Sequence, residues 1–204
     1  VSVVVGARGG WAVYRQGMTD FIVMVKHSSD MVVAGPDVVK TVTNREVTHE
    51  ELGGAMTHTS ISGVADLAFE NDVDLLLQTR RFMDFLPLSN KEKPPARLCE
   101  DPIMRDDFSL DTLVPENPNM PYDMKELITK VVDEGDFYEI QPDHAKNIII
   151  GMARMDGRTV GIVANQPMVL AGCLDIASSQ KAARFVRCCD AYNMSIVTFV
   201  EYTE

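Results

Sequence analysis

The sequence predicts an α/β fold built from short strands, tight turns and amphipathic helices. Three observations carry that expectation. Residues 21–25, Phe-Ile-Val-Met-Val, form a continuous apolar run bounded by polar residues, as a buried strand does. Asp156-Gly157 separates two strand-like stretches, 148–155 and 158–164. Asp-Gly suits a type I′ hairpin turn, whose two central residues take positive φ. Residues 124–132 and 178–192 place apolar side chains at helical spacing.

The elements follow in order. Val3–Val5 read as a strand, and Gly6, Gly9 and Gly10 then mark a tight turn before a short helix. Met31–Ala34 is a further strand, stopped by Gly35-Pro36. Residues 64–86 are expected as one long helix, with Phe69, Val73, Leu76 and Met83 on or near one stripe, widened by Leu75, Phe82 and Leu86, and ended by Pro87. Residues 87–121 hold Pro87, Pro94, Pro95, Pro102, Pro115, Pro118 and Pro121 among many charges. They read as an inter-domain linker, with a long surface loop as the alternative. Asp123 and Glu126 then suggest a capping-box start. Met124, Leu127, Ile128, Val131 and Val132 follow i, i+3, i+4, i+7, i+8 spacing. After the hairpin, a helix opened by Asp175 or Ser178 is expected to bury Ala182, Phe185, Val186 and Cys189. It would turn Lys181, Arg184 and Arg187 to solvent. Residues 195–200 close a ββα-type unit. The opening strand lacks an initiator Met, so the chain is expected to begin inside a longer protein.

The composition excludes several classes. A net charge of −11 repels a phosphate backbone at long range, which argues against a nucleic-acid partner. No apolar run reaches the roughly 18–20 residues of a membrane span. Cys99, Cys173, Cys188 and Cys189 form no CxxC pair and read as free thiols of a reducing compartment. His27, His49, His58 and His144 show no metal-ligand spacing, so no metal is expected. Thr57-His58-Thr59 could offer a base, but packing and hydrogen bonding explain it as well. Gly6-x-x-Gly9-Gly10 lacks the Gly-Lys-Ser/Thr continuation of a nucleotide loop. Glu50-Glu51 and Asp133-Glu134 read as solvated charges.

Three blocks carry a family resemblance: residues 35–76 (GPDVVKTVTNREVTHEELGGAMTHTS…), 131–167 (VVDEGDFYEIQPDHAKNIII…) and 171–193 (AGCLDIASSQKAARFVRCCDAYN). Together they resemble the carboxyltransferase (β) subunits of biotin-dependent acyl-CoA carboxylases, in particular the propionyl-CoA branch. The resemblance implies a crotonase-like fold (the ClpP/crotonase ββα superhelix), with parts of two such domains present. Residues 1–86 would be the C-terminal part of the N-domain on the acyl-CoA side. Residues 87–121 would be the linker, and 122–204 the N-terminal part of the C-domain on the biotin side. It further implies carboxyl transfer from carboxybiotin to the α-carbon of propionyl-CoA, giving methylmalonyl-CoA. Biotin would arrive on an α subunit of an ATP-dependent holoenzyme, and the β subunits would assemble as a hexamer. The compartment would be the mitochondrial matrix, or the cytoplasm in a bacterium.

The family's first oxyanion segment, a strand followed by G-P-C-A-G-G-A-V-Y, matches Gly6 to Tyr14 here. The resemblance therefore implies backbone donors at Gly10 and Trp11, flanked by Gly9 and Ala12 against the acyl-CoA. Trp11 stands where the family has glycine, Arg8 where it has cysteine, and Arg15-Gln16-Gly17 replaces Ser-Pro-Ala. A structural turn without a catalytic donor is the alternative. Asn165, Gln166 and Gly172 match positions that would shape the acyl-CoA pocket, or else merely satisfy a turn. The family's second oxyanion segment, a Gly-Gly-Ala stretch of the C-domain, is expected to lie beyond residue 204. Two other functions remain open, a related acyl-CoA decarboxylase or transcarboxylase subunit and a non-catalytic oligomer scaffold.

Overall fold

The computed structural model describes residues 1–117 and 120–201, so Pro118 of the proline-rich segment lies outside the described residues. The chain packs as two compact units. Val1–Arg81 with Gln141–His144 form the first, and residues 82–140 with those from 145 onward form the second.

In the first unit the chain runs β1 (Ser2–Val4), β2 (Arg8–Gly9), α1 (Trp11–Gly17), β3 (Ile22–Val25) and β4 (Met31–Val32). Then follow α2 (Pro36–Thr43), α3 (His49–Gly53), α4 (Ala55–Thr57), β5 (Leu67–Phe69) and α5 (Asp72–Met83). β3 lies between β1 and β5, parallel to both. Its four residues are all buried, because both faces are covered. Ile22 and Met24 pack with Val4, Met31, Ala55 and Ala65, while Val23 and Val25 pack with Leu75. A parallel strand covered on both sides reads as an unbroken apolar run. β2 and β4 form a separate parallel pair.

The single helix expected over residues 64–86 is divided in two elements. Leu67–Phe69 pair with β3, and α5 begins only at Asp72, where Asn71 Oδ1 accepts the Asp74 N–H at 2.9 Å. The gain from ladder pairing overrides the helical spacing. The expected apolar stripe is buried only along its widened side. Leu75 and Phe82 are buried, whereas Val73, Leu76 and Met83 are exposed. Residues 31–34 contribute only Met31–Val32 to a strand.

The second unit contains α6 (Met124–Val131), β6 (Tyr138–Ile140), β7 (Ile148–Met155), β8 (Arg158–Asn165), α7 (Ile176–Ala191) and β9 (Ser195–Phe199). The sheet order is β6-β7-β8-β9, with β9 parallel to β8 and the other pairs antiparallel. Asp156 and Gly157 both have positive φ, 51° and 71°, as the type I′ turn demands. α6 covers one sheet face through Met124 and Ile128, against Ile149, Ala153, Val160, Ile162 and Ala164. α7 covers the other through Phe185 and Cys189. A side chain at Gly161 would come within 2.5 Å of Cys189 Sγ, so glycine is required there by close approach. Burial pushes the Cys189 thiol up to about 12, and its neighbour Cys188 is half-buried.

Two charges expected at the surface, Lys181 and Asp133, are interior, and Arg154 is buried with them. Lys181 is buried rather than turned to solvent; its Nζ donates to Ile148 O at 2.8 Å and Ala145 O at 3.3 Å. Asp133 is buried as well, and its carboxylate accepts the Asp156 N–H at 3.1 Å and the Gly157 N–H at 2.7 Å. The hairpin turn is thus held from below. Arg154 is buried over the Phe85 ring at 4.2 Å, and its guanidinium donates to Asp84 Oδ2 at 2.7 Å. At the start of α6, Asp123 Oδ1 accepts the Lys125 N–H, as an N-cap does. No reciprocal contact from Glu126 to the Asp123 N–H completes a capping box; Gln166 Oε1 instead accepts the neighbouring Met124 N–H at 3.2 Å. The capping box occurs on α7 instead, between Asp175 and Ser178. The proline-rich segment touches the hairpin, since the Arg97 N–H donates to Gly157 O at 2.9 Å. Among the described residues no helix is long and apolar enough to cross a membrane.

Asp133→Ala leaves two turn N–H groups without their acceptor. The expected loss is about 1–3 kcal/mol, to be read as a lower urea midpoint in the full-length subunit.

Candidate functional site

The glycine-rich turn of the first unit is fixed by backbone pairing. The Arg8 N–H donates to Asp30 O at 2.9 Å, and the Gly10 N–H donates to Val32 O at 3.0 Å. Gly10 has φ 62° and ψ −136°, a conformation open to glycine and costly for other residues. α1 begins directly after it, with Trp11 as its first residue. The first N–H groups of a helix have no partner within it. Val13 N–H turns back to Gly10 O at 3.2 Å. Among the described residues, no acceptor takes the N–H of Trp11 or of Ala12. Of the two donors expected from the sequence, Gly10 spends its N–H on Val32 O, whereas the Trp11 N–H is open. Gly10 is committed to the strand pairing, and the open pair is Trp11 and Ala12. The Trp11 indole is 88% exposed and leans on Tyr14, with ring centroids 5.7 Å apart.

The histidine of Thr57-His58-Thr59 is a brace. Its Nε2 lies 2.8 Å from Met31 O, which can only accept, so Nε2 carries the proton. Nδ1 lies 2.9 Å from Ser62 Oγ. Nothing in the sequence pattern singles out His49, yet its Nδ1 sits 2.7 Å from Oδ2 of the buried Asp30.

In the second unit, Asn165, Gln166 and Gly172 gather at the exit of β8. The Asn165 amide pairs with the backbone of Glu201 in both directions, at 2.8 Å each way. This continues the β8–β9 ladder with a side chain. Gln166 Nε2 donates to Asp123 Oδ1 at 2.7 Å. Leu170, Ala171 and Gly172 have successive positive φ of 51°, 51° and 71°. Each non-glycine residue in that region costs on the order of 1–2 kcal/mol. The turn is held by Asn147, whose Nδ2 donates to Cys173 O at 2.8 Å. A side chain at Gly172 would meet Asn165 Nδ2 at 2.5 Å. The Tyr122 hydroxyl donates to Glu201 Oε2 at 2.7 Å, and burial raises its pKa.

A separate cavity of about 350 Å³ lies over Arg105, Lys130, Asp133 and Met155, and none of the sequence-predicted site residues lines it. Arg105 Nη2 donates to Lys130 O at 2.5 Å. Burial raises the pKa of Cys99 at its edge. Among the described residues no group of three or more His, Cys, Asp or Glu gathers to hold a metal ion.

Sheets that feed a glycine turn, and hairpins covered by helices on both faces, define a crotonase-like α/β carboxyltransferase fold. Residues 1–203 match the family described as "Carboxyl transferase domain", and the chain belongs to that family. It is 65% identical over 201 residues to a propionyl-CoA carboxylase beta chain of Roseobacter denitrificans, covering 98% of this chain and 39% of that protein. It is 53% identical over 201 residues to a methylmalonyl-CoA decarboxylase subunit alpha of Veillonella parvula, covering 98% of this chain and 40% of that one. A crystal structure of transcarboxylase 12S, a hexamer with hydrolysed methylmalonyl-CoA bound, superposes with a TM-score of 0.93 at 40% identity. That match covers 97% of this chain and 39% of the other. The chain therefore spans about two-fifths of the length of these relatives.

Lys181→Met keeps the side-chain volume and removes the donor from the Ile148 and Ala145 carbonyls. A loss of about 1–3 kcal/mol is expected, with a lower urea midpoint and an unchanged slope.

Proposed function

We propose that the full subunit containing this chain is a carboxyltransferase acting on propionyl-CoA. It would form the α-carbon–carboxyl bond of methylmalonyl-CoA as the N–C bond of carboxybiotin breaks, with the α-proton of propionyl-CoA passing to the biotin ring nitrogen. The observation that carries this reading is the open pair of backbone N–H groups at Trp11 and Ala12, directly after the positive-φ Gly10. Enolisation places negative charge on the thioester oxygen. Fixed N–H donors that meet that charge lower the barrier, and they need not reorganise as it develops. No side-chain nucleophile is required. Trp11 supplies a backbone donor in place of a glycine, and its exposed indole does not occupy the position of its own N–H.

In this reading residues 1–86 belong to the acyl-CoA-side domain and residues 122–204 to the biotin-side domain, with 87–121 as the connection. Gly9 and Ala12 of the first unit would flank a thioester, and, taken by itself, the second unit would offer Asn165, Gln166 and Gly172 to an acyl-CoA. Carboxybiotin, carried by a partner α subunit, supplies the activated carboxyl group. None of this chain's residues is assigned to its ring. The β subunits would form a hexamer, the assembly that transcarboxylase 12S adopts. A second reading, decarboxylation of methylmalonyl-CoA, is favoured by the 53% identity to the Veillonella parvula subunit.

The test is carboxyl transfer by the full-length subunit assembled with its biotin-carrying partner. Labelled bicarbonate should enter propionyl-CoA in an ATP-dependent manner. Trp11 is the first helical residue, where proline is tolerated because its missing N–H has no helical partner. Trp11→Pro should therefore fold yet lower kcat about 10²–10³-fold, while Trp11→Ala stays near wild type. Release of CO2 from methylmalonyl-CoA, without incorporation of bicarbonate, would select the second reading. No activity in either direction would leave a scaffold.

A further inference from the structure

The glycine-rich turn rests on a buried carboxylate. Asp30 is 7% exposed, and its backbone O and both carboxylate oxygens have partners. Its backbone O accepts the Arg8 N–H at 2.9 Å, and its side-chain Oδ1 meets the same N–H at 3.2 Å. Oδ2 lies 2.7 Å from His49 Nδ1, at the first turn of α3. The backbone of Asp30 also bridges to Gly54, just past that helix. The packing beneath leaves no slack, since a side chain at Gly53 would come within 2.3 Å of Met31 O. A continuous chain of contacts thus runs from His49 through Asp30 to Arg8, two residues before Gly10 and three before Trp11.

We propose that Asp30, oriented by His49, is a positioning residue for the Arg8–Trp11 turn, and that it sets where the open N–H donors point. This rests on the carboxyltransferase reading of that turn. The physical argument is one of lever length. Consecutive Cα atoms are about 3.8 Å apart, so a shift at Arg8 passes to Trp11 with little room for compensation. Donor placement errors of about 1 Å can cost about 10²-fold in rate. The imidazole contributes by fixing the carboxylate. With a proton on Nδ1, His49 donates to Oδ2 and leaves Oδ1 to face the Arg8 N–H. Asp30 never touches substrate in this arrangement. Its effect reaches the reaction only through the backbone.

The test compares Asp30→Ala, Asp30→Asn and His49→Ala in the full-length subunit with its partner. Asparagine keeps an oxygen for the Arg8 N–H, and its amide can donate to His49 Nδ1 in the other tautomer. We expect Asp30→Ala to lower kcat about tenfold, with KM for propionyl-CoA within about twofold. Asp30→Asn should restore most of the rate, and His49→Ala should fall between. Hydrogen–deuterium exchange of the peptide covering residues 6–14 provides a readout independent of turnover. It should speed up at least several-fold in Asp30→Ala and not in Asp30→Asn. An Asp30→Ala protein with lowered thermal stability but unchanged kcat and unchanged exchange at residues 6–14 would overturn the proposal. A wild-type subunit without carboxyl transfer would overturn the carboxyltransferase reading instead, and the exchange comparison would still decide whether Asp30 holds the turn.

Discussion

Strand β3 has no polar face, and the first unit is arranged around that constraint. Ile22 and Met24 point one way, Val23 and Val25 the other, and both sets are buried. Such a strand needs cover on two faces and hydrogen-bonded neighbours on two edges. β1 and β5 supply the edges in parallel, and parallel neighbours require crossover connections. The β1-to-β3 crossover contains the glycine turn and α1. The β3-to-β5 crossover contains β4 and the short helices that brace the turn. The turn therefore sits where it does because a doubly covered strand forces the chain out and back. The open N–H groups of Trp11 and Ala12 are a by-product of that route.

The same logic governs the second unit, with an antiparallel hairpin at its centre. α6 and α7 take opposite faces of β7 and β8, so almost every residue of the hairpin is buried. Glycine at 161 permits the approach of α7, and Asp133 supplies the acceptor that the tight turn lacks. Burying that carboxylate is costly unless it is hydrogen-bonded. The two turn N–H groups it accepts offset that cost.

Much of the fold is legible in the sequence, and the places where it is not share a cause. The Phe21–Val25 run, the Asp156-Gly157 turn and the α6 stripe are readable because apolar periodicity and turn chemistry agree there. Residues 64–86 mislead because Leu67, Ala68 and Phe69 suit a helix and a strand equally, and only pairing with β3 decides. Lys181 reads as a solvent residue on charge alone. Yet Ser178, Lys181, Phe185 and Cys189 are the buried residues of α7, and their spacing places them on one stripe. Periodicity does point inward at Lys181, against the expectation that a charge faces outward. Lysine can occupy such a position when strand-end carbonyls receive its ammonium, and those acceptors come from residues 33 and 36 positions earlier.

The candidate site is less legible for a deeper reason. Its donors belong to the backbone, so side-chain identity says little about which N–H groups are open. Glycine at 10 signals the required φ, but the Gly10 N–H is itself taken by Val32 O. That commitment depends on the β2–β4 register, which no local pattern encodes. The same reasoning tempers the substitution at position 11. A tryptophan there is conspicuous as a side chain, yet the proposed chemistry needs only its amide. Whether that amide remains available depends on the dihedral angles at Gly10 and the anchoring of Arg8. Position 10 is where a side chain would change the backbone conformation, whereas at position 11 it adds bulk outside the helix and leaves the N–H in place.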